Sequence, residues 1–400
     1  MKNSKFVSSL RKFYNKEGTR SLLSSLISIL LGILVGFIIM IIIAAVDDNN
    51  SISHAFRGLK YIFQGPFAST NTTNILANTG NMIFYSVPLI FTGLSVAIAY
   101  KTGLFNIGAP GQYVMGTIGA LYVSLSIHTT SAVGAFFVWL LALLVGTLCG
   151  ALWGIIPGIL KAFFDINEVI VFIMTNWIAA NISSWFFKYT TAIQSTENTK
   201  GGFLMKPLEN YTPKLGMDKL FPRSMADCGI FIAIIVAIII YIILNRTTFG
   251  YELKACGANK DGARYAGLNE KRNIILSIMI AGALAGMGAS LYYLNPGIEY
   301  KYISQYSGLP AYGFNGIASA FLANCNPIGT IFSSLFIRFL NMGGDKLNNV
   351  GFNRYVADII IAVIIYLAGF TRIIREKLPV WKDPEPAVEA GAEGRESDQK

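Results

Sequence analysis

One run of residues limits the possible folds of this chain more than any other feature. Residues 22–46 are 25 consecutive residues without a charged side chain. At about 1.5 Å per residue, a helix of this length crosses a hydrocarbon core of about 30 Å. The run exceeds the ~7–15 apolar residues of a signal-peptide core, and no small-residue cleavage pattern follows it. We therefore predict a membrane anchor that is retained.

Further apolar segments follow the first, separated by polar stretches. Only 14% of the 400 residues are charged, against about 25% in ordinary soluble domains, so too few polar side chains remain to cover a water-soluble protein. The sequence predicts an all-α polytopic membrane protein with about ten spans. The nine additional candidate spans are residues 81–100, 112–128, 132–160, 166–187, 228–244, 274–294, 312–324, 327–341 and 352–370.

The distribution of basic residues predicts the orientation in the membrane. Ten spans place both termini on one side, and cytoplasmic loops are enriched in Lys and Arg. With residues 1–21 inside, the inner loops carry 20 Lys and Arg and the outer loops carry 10. We therefore predict that both termini are cytoplasmic. The predicted regions are a cytoplasmic N-terminal segment (1–21), a transmembrane domain (22–370), an extracellular loop (188–227), a cytoplasmic loop (245–273) and a disordered cytoplasmic tail (371–400).

Several functional classes are excluded by the residues that are missing. The net charge of +10 indicates basic loops facing anionic lipid rather than nucleic-acid binding, because no basic stretch has interleaved aromatic residues. The cysteines are scattered, no phosphate-binding loop occurs, and no nucleophile–base set stands out. We therefore predict no catalytic residue, metal site or bound cofactor. No chain of acidic residues crosses the membrane, which argues against a proton-coupled carrier, and Asp358 is predicted to pair with Arg354.

Two predicted helices are broken. Residues 101–112 contain three glycines and a proline, and residues 313–324 are too short to cross the membrane before the Asn-Cys-Asn-Pro sequence that follows. Irregular backbone at membrane depth must face protein or a wet cavity. The third and eighth segments open with matching Phe-Asn pairs and run in opposite directions. We therefore predict two inverted halves of five helices, with the broken elements lining a transport path.

Uncharged polar groups and aromatic rings lie next to these breaks. Amides donate and accept hydrogen bonds without net charge, and aromatic faces stack on planar surfaces. This combination suits a neutral solute such as a nucleoside or a sugar. The alternative is that the amides only join neighbouring helices, which is worth about 0.6 kcal/mol per contact. The candidate path residues are Phe105, Asn106, Gln112, Asn176, Phe314 and Asn315.

The cytoplasmic loop at residues 245–273 contains a signal for a short projecting helix. Asn259 can cap a helix over residues 260–266, and Gly267 can end it. Such a helix suits docking into a groove of a partner protein, although a helix lying on the membrane surface would have the same pattern. The residues predicted to face a partner are the small Ala263 and Ala266 and the anchors Arg264 and Tyr265.

The same loop resembles the coupling loop of ABC-type importer permeases of the branched-chain amino acid, ribose and nucleoside superfamily. It reads Gly-Tyr-Glu-Leu-Lys-Ala at 250–255, Gly-Ala-Asn at 257–259 and Ala-Arg-Tyr-Ala-Gly at 263–267. Three further stretches are similar to the nucleoside and simple-sugar branch of that superfamily. They are Gly-Leu-Phe-Asn-Ile-Gly at 103–108, Asn-Glu-Val-Ile at 167–170 and Tyr-Gly-Phe-Asn-Gly-Ile-Ala at 312–318.

The resemblance implies a type II ABC importer fold of ten helices in two inverted halves. It implies a membrane subunit, not an enzyme, that moves nucleosides by alternating access across the cytoplasmic membrane of a bacterium. Implied partners are a similar but distinct second permease chain, ATP-binding cassettes that carry ATP and Mg²⁺, and an extracellular lipid-anchored binding protein. The cassettes would dock on Gly257, Ala258, Asn259 and the helix after them. A ribose-type sugar permease, an ion-coupled carrier and a structural scaffold or insertase-like protein remain alternatives.

Overall fold

The computed structural model describes residues 14–15, 17–46, 51–194, 208–298, 300 and 309–378. The described elements are α-helices and three short 3₁₀ helices. The helices are α1 (Glu17–Val46), α2 (Ile52–Gln64), α3 (Thr72–Lys101), α4 (Ala109–Ser126), α5 (Ala132–Phe164), α6 (Glu168–Tyr189), α7 (Met217–Leu220), α8 (Gly229–Arg246), α9 (Thr248–Ala258), α10 (Lys260–Tyr265), α11 (Glu270–Tyr293), α12 (Ala311–Leu322), α13 (Pro327–Gly344), α14 (Tyr355–Ala368) and α15 (Thr371–Lys377).

Each of the ten predicted apolar segments coincides with a helix, which confirms an all-α, multi-pass membrane protein. Within the described ranges, α1, α3, α5, α6, α8 and α11 are long and apolar enough to cross a membrane. The helices on either side of the break at residues 323–326 bend by 119° and count as at most one further span. The count of ten membrane crossings therefore stays a prediction.

Helix α3 lies at the centre of the bundle. Of the residues in its most apolar stretch, 83% are buried. The neighbours of α3 are α8, α11, α12 and α13. A helix that is apolar on all sides is stable only when other helices surround it. Pro88 lies inside α3, where packed neighbours compensate for the lost backbone hydrogen bond.

The helix contacts support the prediction of two halves. In a five-plus-five arrangement, α3 is the second segment of one half and α11 is the second of the other. Helix α11 packs on α4 and α5, and α3 packs on their counterparts α12 and α13. Glycines allow the α5–α11 contact to be close, since a Cβ atom on Gly150 would lie 2.4 Å from the carbonyl oxygen of Gly282.

Helix α2 was not predicted from the sequence. It is amphipathic, and its buried residues Ala55, Gly58 and Ile62 lie on the side that packs against α1 and α13. Its outer side exposes Ile52 and Phe56. A helix of 13 residues is too short for a span. A search for long apolar runs therefore left it in the stretch between two spans.

Two details near the C-terminus differ from expectation. Arg354 forms an ion pair with Asp345 at 3.7 Å rather than with Asp358, because α14 begins only at Tyr355 and Arg354 faces the preceding turn. Residues 371–377 form α15, which packs against α1. A disordered tail can therefore begin only after this helix, and residues 379–400 lie outside the described ranges.

Candidate coupling site and transport path

The predicted projecting helix is present as α10. The Asn259 side-chain oxygen accepts a hydrogen bond from the Gly262 amide at 2.9 Å and caps the helix start. Gly267 follows the helix with a φ of +80°, a conformation that favours glycine. Both sequence signals for the helix bounds are therefore confirmed, although regular helix ends at Tyr265, one residue before the predicted end.

Most of the predicted docking residues are on the surface. Arg264, Ala266 and Gly267 are exposed, and the Tyr265 side chain is 94% exposed. Ala258 and Asn259 are exposed as well. The prediction that Ala263 faces a partner is wrong, because only 4% of its surface is exposed and it packs against its own chain. Of the residues predicted on α10 and just after it, those that follow Ala263 are accessible, and their docking role stays a prediction.

Within this loop, helix α9 makes the contact with the transmembrane bundle. A Cβ atom on Gly257 would lie 2.4 Å from the Lys101 carbonyl oxygen and 2.8 Å from the Gly103 amide nitrogen. The end of α9 therefore rests directly on the backbone that ends α3. On its other side, the amide of Asn273 in α11 donates to the Glu252 carboxylate at 3.2 Å. The loop therefore contacts both α3 and α11 directly.

The turn between α3 and α4 is held by a buried amide pair. Asn106 is fully buried and Gln112 is 1% exposed. The Asn106 amide nitrogen donates to the Ser95 hydroxyl at 2.9 Å and to the Gln112 side-chain oxygen at 3.0 Å. The Asn106 oxygen accepts from the Gly108 amide at 3.1 Å. These bonds replace the regular helix bonds that the break removes.

Asn176 of α6 binds the same break from outside. Its side-chain oxygen accepts from the Gly111 amide at 2.8 Å, and its nitrogen donates to the Ile107 carbonyl at 2.9 Å. The Gly111 amide is one of the helix-start donors that have no partner within α4. The structure places Asn106, Gln112 and Asn176 around one break, where Asn106 bonds to Gln112 and Asn176 bonds to backbone. These contacts are of the helix-joining kind that was the alternative to solute binding, and a role in the path stays a prediction.

The remaining path candidates lie closer to the surface. Phe105 is half-buried, with its ring centroid 5.7 Å from that of Phe321. Phe314 is 40% exposed and Asn315 is exposed, both in the first turns of α12. A Cβ atom on Gly313 would lie 2.4 Å from the Pro110 Cα, so the starts of α4 and α12 touch. The two matching motifs therefore belong to one contact region.

A group of tyrosines with one arginine was not predicted as a unit. The ring centroids of Tyr292 and Tyr312 are 4.9 Å apart, and the Arg338 guanidinium lies 4.8 Å from the Tyr85 ring centroid. Tyr113 is fully buried beside them, 6.4 Å from Tyr312 between ring centroids. Arg338 was the one sequence feature that indicated such a group, because a basic residue inside an apolar span requires a nearby partner.

Comparison with known proteins agrees with this architecture. The chain is 37% identical over 297 residues to the nucleoside ABC transporter permease protein NupB of Lactococcus lactis subsp. cremoris (strain MG1363), covering 73% of this chain and 79% of NupB. It is 34% identical over 298 residues to the guanosine ABC transporter permease protein NupP of Bacillus subtilis (strain 168), covering 74% and 82%.

More distant relatives include the glucose ABC transporter permease protein TsgB13 of Haloferax volcanii, at 27% identity over 286 residues, covering 70% of this chain and 73% of TsgB13. No solved structure gives a significant match. The family model described as branched-chain amino acid transport system / permease component matches residues 78–369. Since this match includes the central helix, both breaks and the α9–α10 loop, the chain belongs to the branched-chain amino acid transport system permease family.

Proposed function

We propose that this chain is the membrane subunit of an ATP-driven importer that moves nucleosides across the cytoplasmic membrane. The observation that carries the proposal is its 37% and 34% identity to a nucleoside permease and a guanosine permease, each over about three-quarters of the chain. The glucose permease is less similar, at 27% identity. The excess of basic residues on the α9–α10 side supports a cytoplasmic location for this loop and both termini.

ATP and Mg²⁺ would be bound by separate cassette subunits that dock on α10. The exposed Arg264 and Tyr265 provide a charged and an aromatic anchor for such a contact. The Gly257 contact with the end of α3 then carries a movement of the cassettes to the α3–α4 break. This chain itself would supply rigid contacts and a path, and bind no cofactor.

A second, similar permease chain would complete the path. Helix α6 exposes a patch in which Trp177 is 43% and Trp185 is 63% exposed, with the exposed amide of Asn181 between them. The nitrogen of this amide donates to the Trp177 carbonyl of the same helix, and a neighbouring helix would shield the amide from lipid. Alternating access would then occur between the two chains. An extracellular lipid-anchored binding protein would deliver the solute.

The solute contacts are proposed for Phe314, Asn315 and Phe105, because they are exposed or half-buried. Asn106, Gln112 and Asn176 would act indirectly, by fixing the shape of the break from buried positions. Aromatic rings can stack on a nucleobase, and an amide can bond its polar edge.

Uptake of labelled guanosine and uridine by cells that express the chain with its neighbouring transport subunits tests this function. We expect ATP-dependent uptake that unlabelled nucleosides inhibit and that ribose and glucose do not. Inhibition by ribose instead would reassign the chain to simple sugars. Uptake by the purified chain alone in liposomes, driven by an ion gradient without ATP, would replace the importer with a carrier.

A further inference from the structure

A cavity of about 880 Å³ opens at the end of the molecule that carries α9 and α10. It lies between the start of α1, the ends of α3 and α8, and the break between α12 and α13. Its volume is within the range of about 300–1,000 Å³ that is typical of small-molecule sites. No residue of the proposed solute path lines it, so it requires a separate explanation.

The break between α12 and α13 creates this space. Asn324 and Cys325 have φ values of 51° and 53°, a left-handed conformation that costs non-glycine residues about 1–3 kcal/mol each. This turn bends the two helices by 119°, so α13 diverges from the line of α12. The divergence of the two helices leaves room for the cavity beside the break.

The charged side chains that line the cavity are both basic. Lys101 and Lys254 line it, and its lining includes no acidic residue. The Lys254 ammonium donates to the Asn245 side-chain oxygen at 3.4 Å. Within the described part of the chain, neither lysine forms an ion pair with a carboxylate. Two ammonium groups on one apolar-walled cavity favour an anionic ligand.

Most of the other lining residues are apolar, and some of them are well exposed. Leu26 is 45% and Phe332 is 68% exposed. Phe336 is nine residues beyond the start of α13 at Pro327, which is about 13 Å along a helix. The apolar wall residues are Leu26, Ile29, Tyr241, Leu244, Phe332 and Phe336. A ligand that matches this wall has a long apolar part that enters from the membrane.

We propose that this cavity binds one anionic phospholipid from the leaflet next to the α9–α10 loop. The headgroup phosphate lies between Lys101 and Lys254, and the acyl chains lie along the apolar wall.

Two segments of this chain fit the cavity less well than a lipid does. Residues 1–13 carry four basic and no acidic residues, and residues 383–400 are acidic but have almost no long apolar side chains. The proposal does not depend on which solute is transported.

Native mass spectrometry of the purified full-length chain, with phosphatidylglycerol or phosphatidylcholine added to the detergent, tests this site. We expect the wild-type chain to retain one phosphatidylglycerol and no phosphatidylcholine. The double variant Lys101→Gln, Lys254→Gln should bind phosphatidylglycerol about thirtyfold more weakly, since each basic residue near a lipid surface contributes about 1 kcal/mol. The matched variant Arg57→Gln, Lys60→Gln changes the charge equally on α2 and should bind as the wild type does.

A second variant tests the apolar wall. Ile29→Trp keeps both lysines but fills the space for the acyl chains, so it should also lose phosphatidylglycerol, and size-exclusion chromatography checks that each variant is folded. Excess inorganic phosphate should not displace the lipid. Equal retention of both lipids, unchanged retention in the lysine variant, or displacement by phosphate would each overturn the proposal. If the acidic C-terminal tail filled the cavity instead, the wild type would retain no phosphatidylglycerol.

Discussion

Gly257 and Gly103 meet where the α9–α10 loop touches the transmembrane bundle. A Cβ atom on Gly103 would lie 3.2 Å from the Gly257 Cα, and Gly103 itself has a φ of +77°. Neither residue leaves space for a side chain, so the two backbones contact directly. In a transporter driven by separate ATPase subunits, a contact without flexible side chains transmits a displacement with little loss.

Gly257→Ala is expected to uncouple transport from ATP hydrolysis. The added Cβ would lie 2.4 Å from the Lys101 carbonyl oxygen, so α9 must move away from the end of α3. We expect nucleoside uptake to fall severalfold while the cassettes still co-purify. Gly262→Ala in the same loop is the control, because the three atoms nearest to its added Cβ would all belong to the Asn259 side chain, at 3.2 Å or more. Full uptake by the Gly257 variant would show that this contact does not couple the subunits.

Arg264→Glu is expected to abolish cassette binding. Arg264 is exposed on α10, so the substitution changes the charge of the docking surface without disturbing the protein core. We expect the chain to reach the membrane at normal levels but to purify without the ATPase. Arg57→Glu, an equal charge change on α2, should retain it. An Arg264 variant that still binds the ATPase and transports normally would remove α10 from the interface.

Asn176→Leu is expected to destabilise the broken helix rather than to change solute choice. The substitution leaves the buried Gly111 amide and Ile107 carbonyl without their side-chain partner, at about 1–3 kcal/mol for each unsatisfied group. The melting temperature in detergent should fall by several degrees. Asn181→Leu is the control when the chain is purified without a second permease, since Asn181 is then exposed and donates only within its own helix. An unchanged melting temperature together with altered nucleoside preference would instead place Asn176 in contact with the solute.

Asp227 should make the stability of the loop before α8 depend on pH. Burial raises the pKa of its carboxyl to about 6, opposed by hydrogen bonds from Asn295 and Gly229. Because the folded pKa is above the unfolded value of 3.8, the folded state binds more protons between these values. Stability from this group therefore increases as the pH falls from above 6 towards 4, by up to about 3 kcal/mol.

Thermal melting in detergent between pH 4 and pH 8 measures this effect. Asp227→Asn cannot titrate, so its profile should be flatter than that of the wild type. Asp218→Asn, at an exposed position of the same loop, should keep the wild-type profile. A parallel shift of the Asp227 variant at every pH would rule out titration of this carboxyl as the cause.

The sequence predicted the helices better than their environments. Long apolar runs located ten helices because span length is a strong local signal, and Asn259 and Gly267 predicted the bounds of α10 because caps act within one turn. Helix α2 was missed because 13 residues of mixed polarity resemble a loop when spans are counted. The number of membrane crossings depends on how helices tilt and bend, which apolar length alone does not determine.

Side-chain surroundings depend on contacts between distant segments. The motif around Asn106 was correctly placed at a break, but its partner Asn176 is 70 residues away, and only the packing of α6 against α4 makes their bonds to the break visible. Ala263 was predicted to face a partner because it is small, and the structure buries it within its own chain. The pair of Arg354 with Asp345 likewise depends on where α14 begins.

A pull-down of this chain from its native membrane in mild detergent, followed by mass spectrometry of the associated proteins, tests whether it is one subunit of an ATP-driven importer. We expect to recover an ATP-binding cassette protein, a second permease and a binding lipoprotein whose ligand is a nucleoside. Recovery of the chain alone, in several detergents that preserve other membrane complexes, would contradict the claim that it is one subunit of an ATP-driven importer.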